Sequence, residues 1–147
     1  MNYRKNYIYF VFSAEKSELD IATNTIRTGQ LREALIHHDL PWLEGQGIYK
    51  GDREVCFMVQ LHHSDFIRIS ELKKLVFKYF YQESMLLINH HREASLLFND
   101  KNMTYIGQFC RLPSNLPQYV YDNIDHTFIN GSYYTCKADN EELNYGL

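Results

Sequence analysis

Cysteine and proline are scarce in this chain. Its 147 residues include three cysteines and three prolines. Cys56, Cys110 and Cys136 lie far apart and show no Cys-x-x-Cys spacing, and their odd number argues against a disulfide framework or a thiolate metal site. Cys56 and Cys110 lie inside apolar segments, so we interpret the cysteines as small buried hydrophobic residues rather than as nucleophiles.

Long apolar runs and runs of like charge are also absent. The apolar run over residues 7–12 is too short for a secretory signal, and no stretch is long enough to span a bilayer. The 15 Lys and Arg residues stand against 18 Asp and Glu residues, which leaves no basic surface for a phosphate backbone. We therefore expect a cytoplasmic protein without a nucleic-acid or membrane partner. A net charge of −3 is also too small for a DNA mimic that inhibits by protein contact.

Metal and nucleotide motifs are missing in the same way. Three His-His pairs invite a metal hypothesis, but neighbouring side chains diverge on helices and strands, so each pair offers at most one ligand to a site. No Gly-x-Gly-x-x-Gly follows a strand, and no Walker A lysine pattern occurs. We predict no metal site. The pairs are His37-His38, His62-His63 and His90-His91.

Apolar and aromatic residues are plentiful, at 45% and 15% of the chain. This amount suffices for one core, so we predict a single domain over residues 1–147, with residues 138–147 as a frayed polar tail. Residues 7–13 predict a central strand that is apolar on both faces. A helical pattern with Leu31, Ala34 and Leu35 follows and ends before Pro41.

The middle of the chain predicts a hairpin and a second helix. Residues 42–49 and 54–61 pair around Lys50, Gly51 and Asp52, where glycine and aspartate tolerate the positive φ of a tight turn. The helix starts at Ser70, and its predicted core face is Leu72, Leu75, Val76, Tyr79 and Phe80.

Strands are predicted over residues 84–89, 94–98 and 104–111, and Asn130-Gly131 predicts a last hairpin in the C-terminal tail. The resulting β-α-β-β-α-β order is typical of a ferredoxin-like α+β fold, an antiparallel sheet with two helices on one face and additional C-terminal strands. The other face needs cover. We expect copies of the chain to pack there as a homo-oligomer, and the alternative is a monomer covered by its own tail.

The projecting hairpin over residues 44–54 concentrates glycines, one tyrosine and carboxylates, as a binding loop or a solvated turn would. In chain order, FVFSAEKSEL, GIYKGDRE, QESMLLINHHREASLLF, FCRLP and HTFINGSYY resemble the phage-encoded S-adenosylmethionine lyases, formerly described as hydrolases. That family is similar in fold to the trimeric PII-like signalling proteins. The resemblance therefore implies a PII-like homotrimer with active sites between subunits.

The activity that the resemblance implies is conversion of S-adenosylmethionine to methylthioadenosine and L-homoserine lactone. The substrate's own carboxylate attacks its γ-carbon, and no cofactor is needed. The implied role is to deplete the methyl donor used by host restriction-modification, in the cytoplasm of an infected bacterium. The alternative is a PII-like binding module that senses a nucleotide without catalysis.

Site residues are carried over from the same resemblance. Tyr49 matches the family's tyrosine beside the sulfonium, where a ring face attracts cationic groups. Glu54 is the candidate acidic partner, and Glu44 is held in reserve because the hairpin is shorter than is usual in the family. Ser13, Ala14 and Ser17 match the loop after the first strand, which is suited to hydrogen-bonding a ligand. Arg92 is left out, because pairing with the attacking carboxylate would quench it.

Overall fold

Eight β-strands and three α-helices form within residues 4–143 and 145, the part of the chain that this computed structural model describes. The strands are β1 (Tyr7–Phe12), β2 (Trp42–Tyr49), β3 (Asp52–His62), β4 (Ser84–Ile88), β5 (Glu93–Phe98), β6 (Met103–Arg111), β7 (His126–Ile129) and β8 (Ser132–Lys137). The helices are α1 (Ile21–His37), α2 (Phe66–Lys73), which continues as a π-helical segment over Lys74–Tyr79, and α3 (Gln118–Asp122).

The strands close into an antiparallel barrel in the order β1-β3-β2-β7-β8-β6-β5-β4, and β4 pairs back with β1. The predicted open ferredoxin-like or PII-like sheet is therefore wrong. The β-α-β-β-α-β order is present up to β4, but β5, β6, β8 and β7 then continue the sheet round to β2. Closure pairs the backbone groups that two free edges would leave exposed.

Two apolar cores lie on opposite sides of β1 and β3. Side chains alternate along a strand, so Phe10 and Phe12 pack against α1 and α2, whereas Tyr9 and Val11 point into the barrel. The face that was expected to pack against copies of the chain is thus the lining of the barrel, and the chain's own later strands cover it. The exposed-face argument for a homo-oligomer does not hold.

Both predicted hairpins are confirmed. Lys50 and Gly51 have φ values of 51° and 85°, as a two-residue type I′ turn requires, and Tyr49 pairs with Asp52 across it. Asn130 and Gly131, with φ values of 51° and 79°, connect β7 to β8 in the same way.

Helix α1 begins earlier than the apolar pattern indicated, since the Asp20 side chain caps it by accepting the backbone N–H of Thr23 at 2.7 Å. Two polar residues, Asn24 and Thr28, occupy its buried face ahead of Leu31 and Leu35. Within the described residues, no helix combines the length and the apolar content needed to cross a membrane.

The second helix begins at Phe66 rather than at Ser70, and one residue of its predicted core face is wrong. Tyr79, predicted on the core face, is 68% exposed, and Phe77 is buried instead. The cause is the π-helical segment, where the Phe80 N–H bonds to the Leu75 carbonyl at 3.0 Å. Each π-turn holds one residue more than an α-turn, which rotates the later side chains round the axis.

A β-bulge bends the far side of the barrel. Ala94 pairs with Gly107 and Ser95 with Tyr105, so Ile106 is an extra residue in β6. Gly107 has a φ of 124°, and a Cβ atom there would lie 2.1 Å from the Lys137 carbonyl oxygen, so only glycine fits.

The start of the predicted frayed tail forms a turn. The Glu141 N–H bonds to the Ala138 carbonyl at 3.1 Å, and Asp139 accepts the Tyr105 hydroxyl at 2.9 Å. Residues 144, 146 and 147 of that tail lie outside the described residues.

Candidate active site

A cavity of about 770 Å³ opens at the end of the barrel where β1 ends and where β4 and β7 begin. Its floor belongs to the inner core of the barrel and is apolar, with Val11, Leu86, Ile106 and Phe109 among its residues. Its rim is polar and comes from the loop after β1 and from the tip of the β2–β3 hairpin. A concave site with an apolar floor and a few polar groups at its rim is typical of small-molecule binding.

The loop after β1 is tied to β3 by side chains. The last β1–β3 pair is Phe12 with Phe57, so β1 supplies no partner for Val55. The Ser13 hydroxyl donates to the Val55 carbonyl at 2.7 Å, and the Val55 N–H donates to the Glu15 carboxylate. These two side chains take the place of a strand, because buried backbone polar groups need partners.

Helix α1 and the segment after α2 hold the same loop from behind. The Asn24 amide accepts the Lys16 N–H and donates to the Lys16 carbonyl, both at 2.9 Å. Arg27 donates to the Ala14 carbonyl at 2.7 Å, and Gln82 donates to the Glu15 carbonyl at 3.1 Å. The loop therefore has a defined conformation at the cavity rim.

Of the three loop residues predicted to bind substrate, Ser13 and Ser17 line the cavity and Ala14 does not. Ala14 is fully buried in the outer core, on the helix side of the sheet. Ser13 is 5% exposed, and its hydroxyl hydrogen is committed to Val55. Ser17 is exposed at the rim.

Tyr49 and Glu54 both line the cavity. Gly47 pairs with Glu54 across the hairpin, and Tyr49 lies two residues beyond Gly47, so both side chains project from the same face of the sheet. Within the described residues no hydrogen bond joins the Tyr49 hydroxyl to the Glu54 carboxyl. Burial, together with the charges of Asp125 and Glu54, raises the pKa of Tyr49 and keeps its hydroxyl protonated.

The Glu54 carboxyl lies in an unfavourable place for a negative charge. Burial, followed by the nearby carboxylates of Glu15 and Asp52, raises its pKa to about 7. A positive ligand in the cavity would relieve this cost, because it offers the carboxylate an opposite charge.

Two other residues named from the sequence lie away from the cavity lining. Glu44 forms a two-point ion pair with Arg32, with N–O distances of 2.7 and 3.0 Å, which lowers the pKa of the Glu44 carboxyl. Arg92 lies in the turn between β4 and β5.

Thiols and histidines give the site little reactive chemistry. Cys56 and Cys136 line the cavity, and burial raises the pKa of each thiol to about 12, which disfavours the nucleophilic thiolate. In residues 4–143 and 145, no three His, Cys, Asp or Glu side chains converge as metal ligands would.

Glu15 and Asp125 were missed as site residues. Glu15 lies in a segment that carried the resemblance. Its carboxylate, in the loop after the buried strand β1, was the signal that could have identified it. Asp125 accepts the Lys50 N–H at 2.9 Å and so holds the hairpin tip near β7. No local pattern could have shown this contact, because the two residues are distant in sequence.

The fold and the cavity define a small β-barrel protein with a pocket that has an apolar floor and a polar rim. A model of the S-adenosylmethionine lyase family matches residues 10–137, and the chain belongs to this family. Membership places it among lyases that act on S-adenosylmethionine. A search of curated proteins found no match.

Proposed function

We propose that the chain converts S-adenosylmethionine to methylthioadenosine and L-homoserine lactone in the cavity at the end of the barrel. The observation that carries the proposal is the family match over residues 10–137. The placement of Tyr49 and Glu54 on one cavity is consistent with it.

The reaction needs no second reactant. One oxygen of the substrate carboxylate forms a bond to the γ-carbon while the bond from that carbon to sulfur breaks. The bonding electron pair stays on sulfur, which becomes a neutral thioether. No proton is transferred, and the protein has only to fold the methionine portion so that carboxylate and γ-carbon meet.

The apolar floor of the cavity supports this step. A carboxylate and a sulfonium neutralise each other as the reaction proceeds, so the transition state carries less separated charge than the bound substrate. An apolar cavity therefore raises the free energy of the transition state less than that of the bound substrate. Exclusion of water also protects the γ-carbon from hydrolysis.

Residues at the cavity rim recognise the substrate. The Tyr49 ring face meets the sulfonium and its methyl group, an attraction worth about 1 to 2 kcal/mol in a desolvated site. The Glu54 carboxylate offers the opposite charge. Ser17 offers a hydroxyl to the polar parts of the substrate, and Ser13 acts by holding the loop.

The test is incubation of the purified protein with S-adenosylmethionine in metal-free buffer that contains a chelator. Chromatography should show methylthioadenosine and homoserine lactone in equal amounts. Homoserine ahead of the lactone at the earliest times would point to water as the nucleophile and contradict the intramolecular step. Intact substrate that is nevertheless bound, as measured by calorimetry, would favour a nucleotide-binding module instead.

The proposed biological role is depletion of the methyl donor during phage infection, in the cytoplasm of the bacterial host. Expression of the chain in a bacterium should lower the cellular S-adenosylmethionine level and leave recognition sites undermethylated.

The proposal that the chain forms a homotrimer rests on the resemblance alone. Light scattering that gives the mass of three chains would support it, and the mass of one chain would overturn it.

A further inference from the structure

The Glu15 carboxylate holds the backbone beside Glu54 through a hydrogen bond that does not require a negative charge. The Val55 N–H needs an acceptor, and a neutral glutamine would supply one as well as Glu15 does. Glu15 also lines the cavity next to Glu54. A second negative charge is costly there because like charges at close range repel.

We propose that Glu15 is a positioning residue for Glu54: it clamps the strand that carries Glu54, and its negative charge, together with burial, opposes the charge of the Glu54 carboxylate until a cationic substrate binds. This inference rests on the proposed function. Glu15 acts through Glu54 and through the Val55 backbone. It therefore governs how substrate binding depends on pH.

The geometry makes the clamp specific to this strand segment. Ser13 binds the Val55 carbonyl, Glu15 binds the Val55 N–H, and the Glu15 N–H in turn donates to the Ser13 hydroxyl at 3.1 Å. Both polar groups of one residue's backbone thus bond to one short loop. Glu54 precedes that residue, so the clamp sets the backbone position from which the Glu54 side chain enters the cavity.

Ionisable groups face Glu54 from three elements, namely Glu15 from the loop after β1, Tyr49 from β2, and Asp52 and Cys56 from β3. The pKa values of Tyr49 and Cys56 are raised, so these two groups stay neutral near pH 7. The negative charges that act on Glu54 are therefore those of Glu15 and Asp52.

Other charged groups line the cavity further round. Asp125 and His126 do so from the start of β7, and Lys16, Lys50 and Arg53 bring positive charge at the rim. His126 bonds through Nδ1 to the Ile124 carbonyl at 2.8 Å. A His126→Gln background separates any contribution of His126 from that of Glu54.

The decisive variant is Glu15→Gln, which keeps an acceptor for the Val55 N–H and removes the charge. The matched control is Glu18→Gln, a neighbouring rim carboxylate whose ion-pair partner is Lys16 at 3.6 Å. NMR of ¹³C-labelled glutamate carboxyls follows the Glu54 titration in the free protein. Steady-state kinetics then give KM and kcat for S-adenosylmethionine from pH 5.5 to pH 8.5.

We expect the Glu54 midpoint to fall by on the order of one pH unit in Glu15→Gln and to stay in place in Glu18→Gln. The pH dependence of KM should move with it, while kcat at high pH changes little. Glu15→Asp keeps the charge, so the Glu54 midpoint in this variant should equal that of the wild type. This comparison keeps the test decisive even if a Glu15→Ala protein fails to fold.

An unchanged Glu54 midpoint in Glu15→Gln, or an equal shift in the Glu18→Gln control, overturns the inference. The NMR titration uses no substrate, so it decides the role of Glu15 even if the wild-type protein leaves S-adenosylmethionine intact. That latter result would overturn the proposed function alone.

Discussion

Gly47 lies directly opposite Glu54 in the β2–β3 ladder, so β2 places no side chain over the Glu54 carboxyl. A Cβ atom at residue 47 would lie 3.2 Å from the His126 carbonyl oxygen, which is a tight contact. The missing side chain thus leaves room for a ligand beside Glu54, and it lets β7 approach β2 closely.

Gly47→Ala should therefore lower kcat/KM for S-adenosylmethionine roughly tenfold, about 1.4 kcal/mol, because its methyl group intrudes on the cavity. Gly29→Ala is the control, since nothing lies within 4 Å of its added Cβ atom in α1. That control should gain up to about 1 kcal/mol of stability with unchanged kinetics. Wild-type kcat/KM in Gly47→Ala would show that no ligand occupies this space.

Tyr49 and Glu54 are open to direct replacement. Tyr49→Ala should lose at least tenfold in kcat/KM, whereas Tyr49→Phe should retain most activity because it keeps the ring face. Glu54→Gln removes the charge that attracts the substrate and should also lower kcat/KM.

Glu44→Gln is the matched control for Glu54→Gln, because Glu44 pairs with Arg32 away from the cavity lining. Circular dichroism checks that each variant folds. If Glu54→Gln turns over substrate at the wild-type rate while Glu44→Gln does not, the acidic partner has been assigned to the wrong residue.

Stability should fall as pH rises through the range where Glu54 titrates. Its pKa is about 7 in the folded protein and near 4.5 in the unfolded chain, so between these values the unfolded state loses its proton first and is favoured. The favourable contribution is complete below pH 4.5 and is lost above pH 7. This loss amounts to up to about 3 kcal/mol.

Urea unfolding of wild type and Glu54→Gln at pH 4.5, 6 and 8 measures this effect. The variant should be the more stable protein at pH 8 and nearly equal at pH 4.5. Other titrating groups are common to both proteins and cancel in the difference. A difference that does not depend on pH would mean that Glu54 titrates normally.

Cys56 and Cys136 should resist iodoacetamide at pH 8 in the folded protein, because burial raises the pKa of each thiol to about 12. Mass spectrometry of the alkylated peptides, with urea-unfolded protein as the reactive control, measures this. Cys56→Ala should keep its kcat. Rapid alkylation of the folded protein, or loss of turnover in Cys56→Ala, would indicate that the thiol acts as a nucleophile.

Local elements were predictable where short-range chemistry decides them. The turns at Gly51 and Asn130-Gly131 were visible because few residue types adopt positive φ readily, whereas the positive φ of Lys50 was not expected. The place of Tyr79 was not visible, since a π-turn depends on how α2 meets its neighbours. The burial of Ala14 on the helix side of the sheet was not visible either, because packing sets it.

By itself the sequence determined the strands, the two hairpins, the absence of dedicated metal or phosphate motifs, and a family pattern that residues 10–137 match. Only the tertiary structure decided that the sheet closes into a barrel and that Glu15 lines the same cavity as Glu54. The physical reason is range: turns and periodicity depend on neighbouring residues, whereas closure and paired charges depend on residues far apart in the chain. An apolar strand face indicates that it must be covered, and only the fold shows by what.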